Sequence, residues 1–189
     1  MKTQLSYVHG NSTIPLLGET IGENLKKTVE KFPKKEALVC AHQNYRATYE
    51  EFYVQTAQVA KALINLGVKS GERVGIWAPN RYEWVLLQYA TARIGIILVN
   101  INPAYRTSEL IFVLNQSQIK YIFASQSFKS SNYKKMVDDA REFTSTLNEE
   151  IFFDDNWNEF LSGAIHISDE ELQTFEEKVQ FDDAVNIQY

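Results

Sequence analysis

The sequence is poor in the residues from which several kinds of functional site are built. Cys40 is the only cysteine among 189 residues, which excludes a disulfide framework and a metal cluster made of thiolates. The three histidines, His9, His42 and His166, are far apart, and none has the His-Glu-x-x-His spacing of a zinc-binding helix. We therefore expect no metal site, and we assign no catalytic role to Cys40.

Glycine is scarce as well, and none of the eight glycines belongs to a phosphate-binding loop. Such a loop needs glycines whose backbone amides converge on an anion, with lysine, serine or threonine beside them. Gly71 and Gly75 fit neither that pattern nor the Gly-x-Gly-x-x-Gly signature of a dinucleotide-binding domain. A Gly-x-Ser-x-Gly nucleophile turn is also absent from the sequence. We therefore predict no catalytic residue in this chain.

Neither the charge nor the length of the apolar runs indicates binding to a nucleic acid or a membrane. The net charge is -5, and the lysines between residues 26 and 35 are interrupted by Glu30, whereas a nucleic-acid surface needs clustered cations. No run approaches the ~18 apolar residues that cross a bilayer, and residues 1–10 lack the pattern of a signal peptide. We therefore predict no nucleic-acid partner, no transmembrane segment and a cytoplasmic location.

The sequence does contain enough apolar residues, 44%, to bury a core, and it alternates strand and helix patterns. Helical patterns separate the apolar strand patterns at residues 73–77, 96–99, 121–124 and 151–153. This alternation predicts an α/β fold with a mostly parallel sheet flanked by helices. Ahead of the sheet we predict an irregular N-terminal arm over residues 1–20, a helix over 21–31 and a β-hairpin over 36–48.

Local signals mark where two of the central helices begin. Thr48 and Glu51 form a capping-box pattern, and Gly67 is placed to end the helix that follows. Asn80 and Glu83 predict a second cap of the same kind. The helix after Asn80 is apolar around most of its circumference, which predicts that it lies buried between the sheet and another layer.

The segment Asn100-Ile101-Asn102-Pro103-Ala104-Tyr105-Arg106 directly follows one of the predicted strands. Open parallel sheets place ligand crevices at the carboxyl ends of their strands, which gives this loop a candidate role in binding. The alternative is that Asn102 and Pro103 only turn the chain while Asn100 and Thr107 cap the next helix. The residues leave both interpretations open.

Several short segments of the sheet region form a recognisable set. They are Trp77-Ala78-Pro79-Asn80, Glu83-Trp84-Val85, Ala90-Thr91-Ala92-Arg93-Ile94-Gly95 and the loop at 98–106. Together they resemble the amino-terminal part of an AMP-forming acyl-CoA synthetase, and the resemblance covers about residues 15–189. It implies that residues 21–189 are a partial AMP-binding synthetase N-terminal domain. Residues 102–106 and Phe128-Lys129 with Tyr133 are most similar to the branch that activates medium- or long-chain fatty acids.

The resemblance implies a two-step reaction for the longer enzyme. A fatty acid, ATP and CoA give acyl-CoA, AMP and pyrophosphate through an acyl-adenylate, with Mg²⁺ offsetting phosphate charge. The family's phosphate-binding loop would follow Tyr189, and its adenylating lysine would lie further on. We therefore expect this chain alone to fold without catalysing and to bind no cofactor. We also expect its exposed apolar surface to promote self-association.

The resemblance also implies one candidate site within the chain. In some members of the family the CoA nucleotide contacts the loop that matches Asn102, Pro103 and Ala104, and a basic position that matches Lys129. Lys129 would meet the 3′-phosphate as a point charge. This sequence departs from those members, because it has Asn and Pro where they carry an aromatic residue and glycines. The alternative interpretation is that Lys129 is a surface lysine that only contacts solvent.

Two other functions remain open at this stage. One is a non-catalytic module that binds a nucleotide or CoA, and the other is a different adenylate-forming enzyme, such as the adenylation domain of a peptide synthetase. A Rossmann-type oxidoreductase is disfavoured, since no Gly-x-Gly-x-x-Gly follows any predicted strand.

Overall fold

Helices and strands alternate through the central part of the chain, from β3 at residue 73 to β5 at residue 124, as the sequence predicts. The computed structural model describes residues 13–15 and 17–189. Its helices are α1 (Ile21–Lys31), α2 (Tyr49–Asn65), α3 (Tyr82–Arg93), α4 (Thr107–Gln116), α5 (Tyr133–Arg141), α6 (Trp157–Ser162) and α7 (Asp169–Glu176). Its strands are β1 (Glu36–Cys40), β2 (Tyr45–Thr48), β3 (Arg73–Trp77), β4 (Ile97–Asn100), β5 (Tyr121–Ala124), β6 (Ser127–Phe128), β7 (Ser131–Asn132), β8 (Glu149–Phe152) and β9 (Asn186–Gln188).

Five of these strands form one sheet, in the order β8-β5-β3-β4-β9, and all four pairings are parallel. Gly75 of the central strand lies opposite Val99 on one side and Ile122 on the other. Parallel strands need a crossover connection, which α3 supplies between the neighbours β3 and β4, while α4 connects β4 to β5 on the other side of β3. The predicted α/β fold with a mostly parallel, helix-flanked sheet is therefore confirmed.

The two faces of the sheet carry separate hydrophobic clusters because successive side chains of a strand point to opposite faces. Val74 and Ile76 of β3 belong to a cluster with Leu63 of α2 and Leu87 of α3. The second cluster includes residues from β3, β4, β5, α4 and α5, namely Trp77, Val99, Ile122, Leu110, Leu114, Val137 and Ala140. The sheet is thus covered by α2 and α3 on one face and by α4 and α5 on the other.

The helix boundaries confirm one predicted cap and correct another. Thr48 and Glu51 form the expected capping box, and Gly67 has a φ of +87° after the end of α2. The prediction that Asn80 caps α3 is wrong, because the N-cap is Arg81, in an extended conformation. Gln43, from the turn between β1 and β2, accepts from the backbone N–H of Tyr82 at 2.8 Å. The acceptor at this helix start therefore comes from a distant residue.

The amino-terminal elements agree with the predicted pattern where the structure describes them. Strands β1 and β2 pair antiparallel, with Leu38 opposite Ala47, so the predicted hairpin is confirmed. Residues 1–12 and 16 of the predicted arm lie outside the described residues, and the domain boundary at residue 20 stays a prediction. Within residues 13–15 and 17–189, no helix combines the length and hydropathy needed to cross a membrane.

Candidate functional site at the carboxyl edge of the sheet

The loop of residues 101–106, here called the edge loop, leaves the carboxyl end of β4 and lies against the hairpin of β6 and β7, the edge hairpin. Arg106 donates from Nη1 to Ser131 Oγ at 2.9 Å, which joins the loop to the hairpin. The Tyr133 hydroxyl donates to the Pro103 carbonyl. Lys129 lies at the tip of the same hairpin. The structure therefore places the edge loop beside the hairpin that carries Lys129, the two segments in which the sequence analysis names candidate site residues.

Two stacked, buried aromatic residues hold the edge loop against the core through hydrogen bonds to its carbonyl groups. The rings of Trp77 and Tyr133 lie 3.6 Å apart between centroids and are within 8° of parallel. Trp77 Nε1 donates to the Asn102 carbonyl at 3.0 Å, while Tyr133 reaches the next residue, Pro103. Burial raises the pKa of Tyr133 to about 12, so its hydroxyl stays protonated and remains a donor at neutral pH.

The edge loop is also held by bonds within itself. Asn102 Oδ1 accepts from the Ala104 backbone N–H at 2.9 Å, and the Asn102 carbonyl accepts from Tyr105 N–H at 3.0 Å. Asn102 and Ala104 are nevertheless exposed, whereas Pro103 is half-buried. The loop is therefore a self-supporting turn, as the alternative interpretation held, with a surface that a ligand can reach. The caps proposed with that alternative are wrong, because Arg106 is the N-cap of α4 and Asn100 lies in β4.

Lys129 is an exposed lysine in a left-handed backbone conformation, with a φ of +52°. Its Nζ lies 5.3 Å from the centroid of the Phe128 ring. In the part of the chain that the structure describes, Lys129 does not take part in an ion pair. Its charge is therefore available to an anion at the carboxyl edge of the sheet.

A second polar cluster at this edge was missed by the sequence analysis. Arg81 donates from Nε and Nη2 to the Glu83 carboxylate at 2.8 Å and 2.7 Å. It also donates to both carboxylate oxygens of Asp154, at 3.2 Å and 3.0 Å, and to Ser125 Oγ at 3.1 Å. The guanidinium carbon lies 4.5 Å from the centroid of the Phe153 ring. Arg81 thus connects the residues that follow β3, β5 and β8.

The electrostatics of this cluster favour the charged form of both partners. Burial alone would raise the pKa of Glu83, but hydrogen bonds from Arg81 and Gln43 outweigh it and lower that pKa. Burial alone would likewise lower the pKa of Arg81, but its bonds with Glu83 and Asp154 raise it. The short spacing between Arg81 and Glu83 was visible in the sequence. The contribution of Asp154 was not visible, because it lies 73 positions away.

The comparisons with known proteins agree with this architecture. The sequence model described as "AMP-binding enzyme" matches residues 25–189. The mitochondrial medium-chain acyl-CoA ligase ACSF2 of zebrafish, Danio rerio, is 45% identical over 132 residues, which are 70% of this chain and 22% of the relative. The human protein of the same name is 40% identical over 133 residues. The chain thus spans about a fifth of these relatives' length.

Solved structures show the same fold at lower identity. The long-chain-fatty-acid-CoA ligase FadD1 of Archaeoglobus fulgidus matches with a TM-score of 0.73 and 23% identity, over 98% of this chain and 37% of that one. A fatty acyl CoA synthetase of Mycobacterium tuberculosis matches with a TM-score of 0.68 and 22% identity, over 90% of this chain and 32% of that one. These similarities extend over nearly the whole described chain.

The comparisons also correct one expectation. The cytoplasmic location predicted from the sequence is wrong, because the ACSF2 relatives from zebrafish, rat, mouse and human are named as mitochondrial. That prediction depended on the lack of long apolar runs and of a signal-peptide pattern in residues 1–10. Neither absence distinguishes one cellular compartment from another.

Proposed function

Because the chain belongs to the AMP-binding enzyme family, we propose that the protein is an AMP-forming acyl-CoA synthetase acting on a medium- or long-chain fatty acid. The identity of 45% with a medium-chain acyl-CoA ligase is the observation that carries the proposal. In the first step a carboxylate oxygen attacks the α-phosphorus of ATP and pyrophosphate leaves. In the second step the CoA thiol attacks the acyl carbon and AMP leaves.

The part of this reaction that we assign to residues 13–189 is positioning rather than chemistry. The sheet, the Trp77–Tyr133 stack and the Arg81 cluster hold the carboxyl edge in place. No group of three His, Cys, Asp and Glu side chains in the described ranges has the geometry to hold a metal ion. The family's use of ATP implies that Mg²⁺ takes part in the reaction. We propose no Mg²⁺ ligand among the described residues.

We further propose that the edge loop and the edge hairpin contact the nucleotide part of CoA. Asn102, Pro103 and Ala104 would present the loop surface, and Lys129 would attract the 3′-phosphate. Three observations support this assignment: the loop and hairpin are joined by Arg106 and Ser131, the loop surface is exposed, and Lys129 has no carboxylate partner within the described residues.

The proposed CoA contact is tested by steady-state kinetics with the protein in its full encoded length. Lys129→Ala should raise the KM for CoA severalfold and leave the KM for dephospho-CoA, which lacks the 3′-phosphate, unchanged. Lys178→Ala is the matched control, because Lys178 is also exposed and lies 5.5 Å from the centroid of the Phe175 ring. An equal effect of Lys129→Ala on both cosubstrates would show that Lys129 does not bind that phosphate.

The proposed reaction is tested by analysis of the products. Purified full-length protein is incubated with CoA, ATP and Mg²⁺ together with either octanoate or palmitate. We expect acyl-CoA and AMP to form in equal amounts and only when the fatty acid is present. Formation of ADP instead of AMP, or AMP formation that does not depend on a fatty acid, would contradict the proposal.

A further inference from the structure

Arg93, the last residue of α3, is a buried arginine whose guanidinium is only partly used by the described residues. The residue is 3% exposed. Its Nε donates to Glu176 Oε1 at 2.6 Å, and its Nη1 donates to the Tyr53 carbonyl at 3.0 Å and to Thr56 Oγ1 at 2.8 Å. A guanidinium carries further N–H donors on Nη2. Within residues 13–15 and 17–189, nothing accepts a hydrogen bond from Nη2 of Arg93.

The unused nitrogen of Arg93 opens into a cavity. Arg93 lines a space of about 450 Å³ that is bordered by α1, α2, α3 and α7. Its Nη2 is not among the unpartnered atoms that are sealed from solvent. Because α3 begins after β3 and ends before β4, its last residue lies at the edge of the sheet opposite the edge loop. The cavity is therefore separate from the proposed CoA contact.

The start of α1 adds a second donor to the same cavity. Gly22 lines it, and the Gly22 N–H has no acceptor among the described residues, as is usual in the first turn of a helix. A Cβ at Gly22 would lie 3.2 Å from Arg93 Cγ, so glycine allows this turn to lie directly against the arginine. The amino end of a helix also favours a negative charge. The two donors together suit the two oxygens of a carboxylate.

The remaining charges around the cavity indicate what else a ligand must carry. The charged residues of the lining are the cations Lys26 and Arg93 and the carboxylates Glu23, Asp169, Glu176 and Glu177. Because carboxylates outnumber cations, a simple anion is repelled, whereas a ligand with both an ammonium and a carboxylate group meets charges of both signs. Ala57 and Leu172 add apolar surface to the lining. A small zwitterion with an apolar side chain fits this combination.

We propose that the cavity binds a free α-amino acid with an apolar side chain. The carboxylate accepts from Arg93 Nη2 and from the Gly22 N–H, while Arg93 stays paired with Glu176. The ammonium group faces Glu177, which is exposed, and the side chain packs on Leu172. The inference does not depend on the proposed function, because every residue that it uses belongs to the described part of this chain.

The ligand class is tested by isothermal titration calorimetry of the protein in its full encoded length. The probes are leucine, leucinamide, which lacks the carboxylate, and 4-methylpentanoate, which lacks the ammonium group. We expect leucine to bind with a Kd of about 1 mM or tighter. The other two probes should bind at least about tenfold more weakly, because each leaves charged or polar groups of the cavity without a partner.

Ala57→Leu tests the location of the site. The larger side chain fills the cavity from α2, and Ala57 makes no hydrogen bond to Arg93. This variant should weaken leucine binding at least about tenfold, because it occupies the space of the ligand. Gln58→Leu is the matched control, since Gln58 is the next residue of α2, is exposed and does not line the cavity. It should leave the affinity unchanged.

Glu177→Gln tests the charge argument at an exposed position, where the substitution does not threaten folding. It should weaken the binding of leucine and strengthen that of 4-methylpentanoate, because one carboxylate that attracts the ammonium group and repels a simple anion is removed.

Three results would overturn the inference. They are no saturable binding of leucine to the wild type, equal affinities for leucine and 4-methylpentanoate, and leucine binding that persists unchanged in Ala57→Leu.

Discussion

Arg81 connects the carboxyl edge of the sheet through a side chain that is only 9% exposed. It forms paired hydrogen bonds with Glu83 and with Asp154, so no single partner accounts for its position. A buried arginine of this kind is costly to remove, because the carboxylate left behind has lost both water and its counter-ion.

Arg81→Met tests this point at the scale of one residue. We expect the free energy of unfolding to fall by about 3–5 kcal/mol, since Glu83 would stay buried without a cation. Lys135→Met is the control, because Lys135 pairs with Asp139 on the surface of α5 and should contribute less than about 0.5 kcal/mol. Urea unfolding gives both values. A loss of the same size in the two variants would refute the special role of Arg81.

The lowered pKa of Glu83 predicts a pH dependence of stability. A carboxyl group whose folded pKa lies below its unfolded value of 4.5 adds stability above that pH, and the contribution is lost as the pH falls through the folded pKa. We therefore expect wild-type stability to fall as the pH decreases below about 4.5, and to fall less steeply in Glu83→Gln. Parallel pH profiles of the two proteins, from urea unfolding, would contradict this assignment.

Single residues also show what the sequence could predict and what it could not. The capping box of Thr48 and Glu51 was predictable because its two side chains are three positions apart. Gln43 and Asp154 were not, because they reach the start of α3 from 39 and 73 positions away. Only the folded chain brings such groups together.

At the scale of the elements, a tight turn with a left-handed glycine connects α3 to β4. Gly95, between α3 and β4, has a φ of +71°, and its carbonyl accepts from Gly71 N–H at 2.7 Å. A Cβ at this position would lie 2.6 Å from Ser70 Oγ. The backbone conformation therefore favours glycine here, and a Cβ would also displace the Ser70 hydroxyl.

Gly95→Ala should lower the free energy of unfolding by at least the ~1–2 kcal/mol that a left-handed conformation costs a residue with a Cβ. Gly18→Ala is the matched control. A Cβ at Gly18 would meet nothing within 4 Å, and Gly18 does not have a positive φ. Thermal unfolding of the two variants gives the comparison. Equal midpoints would mean that the turn adapts to a side chain.

The parallel order of the elements was predictable from the alternation of apolar strand and helix patterns, because such patterns depend on burial and period. The contact between the edge loop and the edge hairpin was not, because it depends on the stack of Trp77 with Tyr133, which are 56 positions apart (133 − 77). The sequence analysis noted Tyr133 and Trp77 only as parts of separate segments that resemble the family, and nothing in the sequence indicates that their rings stack.

At the scale of the whole molecule, the described chain keeps large apolar side chains at its surface. They include Phe112, Phe143, Ile165 and Phe181, which are 58%, 64%, 85% and 65% exposed. We propose that the chain associates with itself at high concentration, because exposed apolar surface favours association. Light scattering over a range of concentrations tests this, and a constant monomer mass throughout would contradict it.

The subcellular location was the property that sequence composition predicted least well. Net charge and cysteine content describe the solvent in which a chain folds, and they carry no information about which organelle receives it. The fold and the family, by contrast, were predictable because they follow from the apolar pattern and from short segments such as Trp77-Ala78-Pro79-Asn80.

The central claim is that these residues belong to an enzyme that forms an acyl-adenylate but do not themselves carry its chemistry. It is tested most directly by ATP–pyrophosphate exchange, measured with and without a fatty acid, for residues 1–189 and for the full encoded length. We predict fatty-acid-dependent exchange in the full-length protein and none in residues 1–189. Exchange catalysed by residues 1–189 alone, or no exchange at full length, would contradict the account.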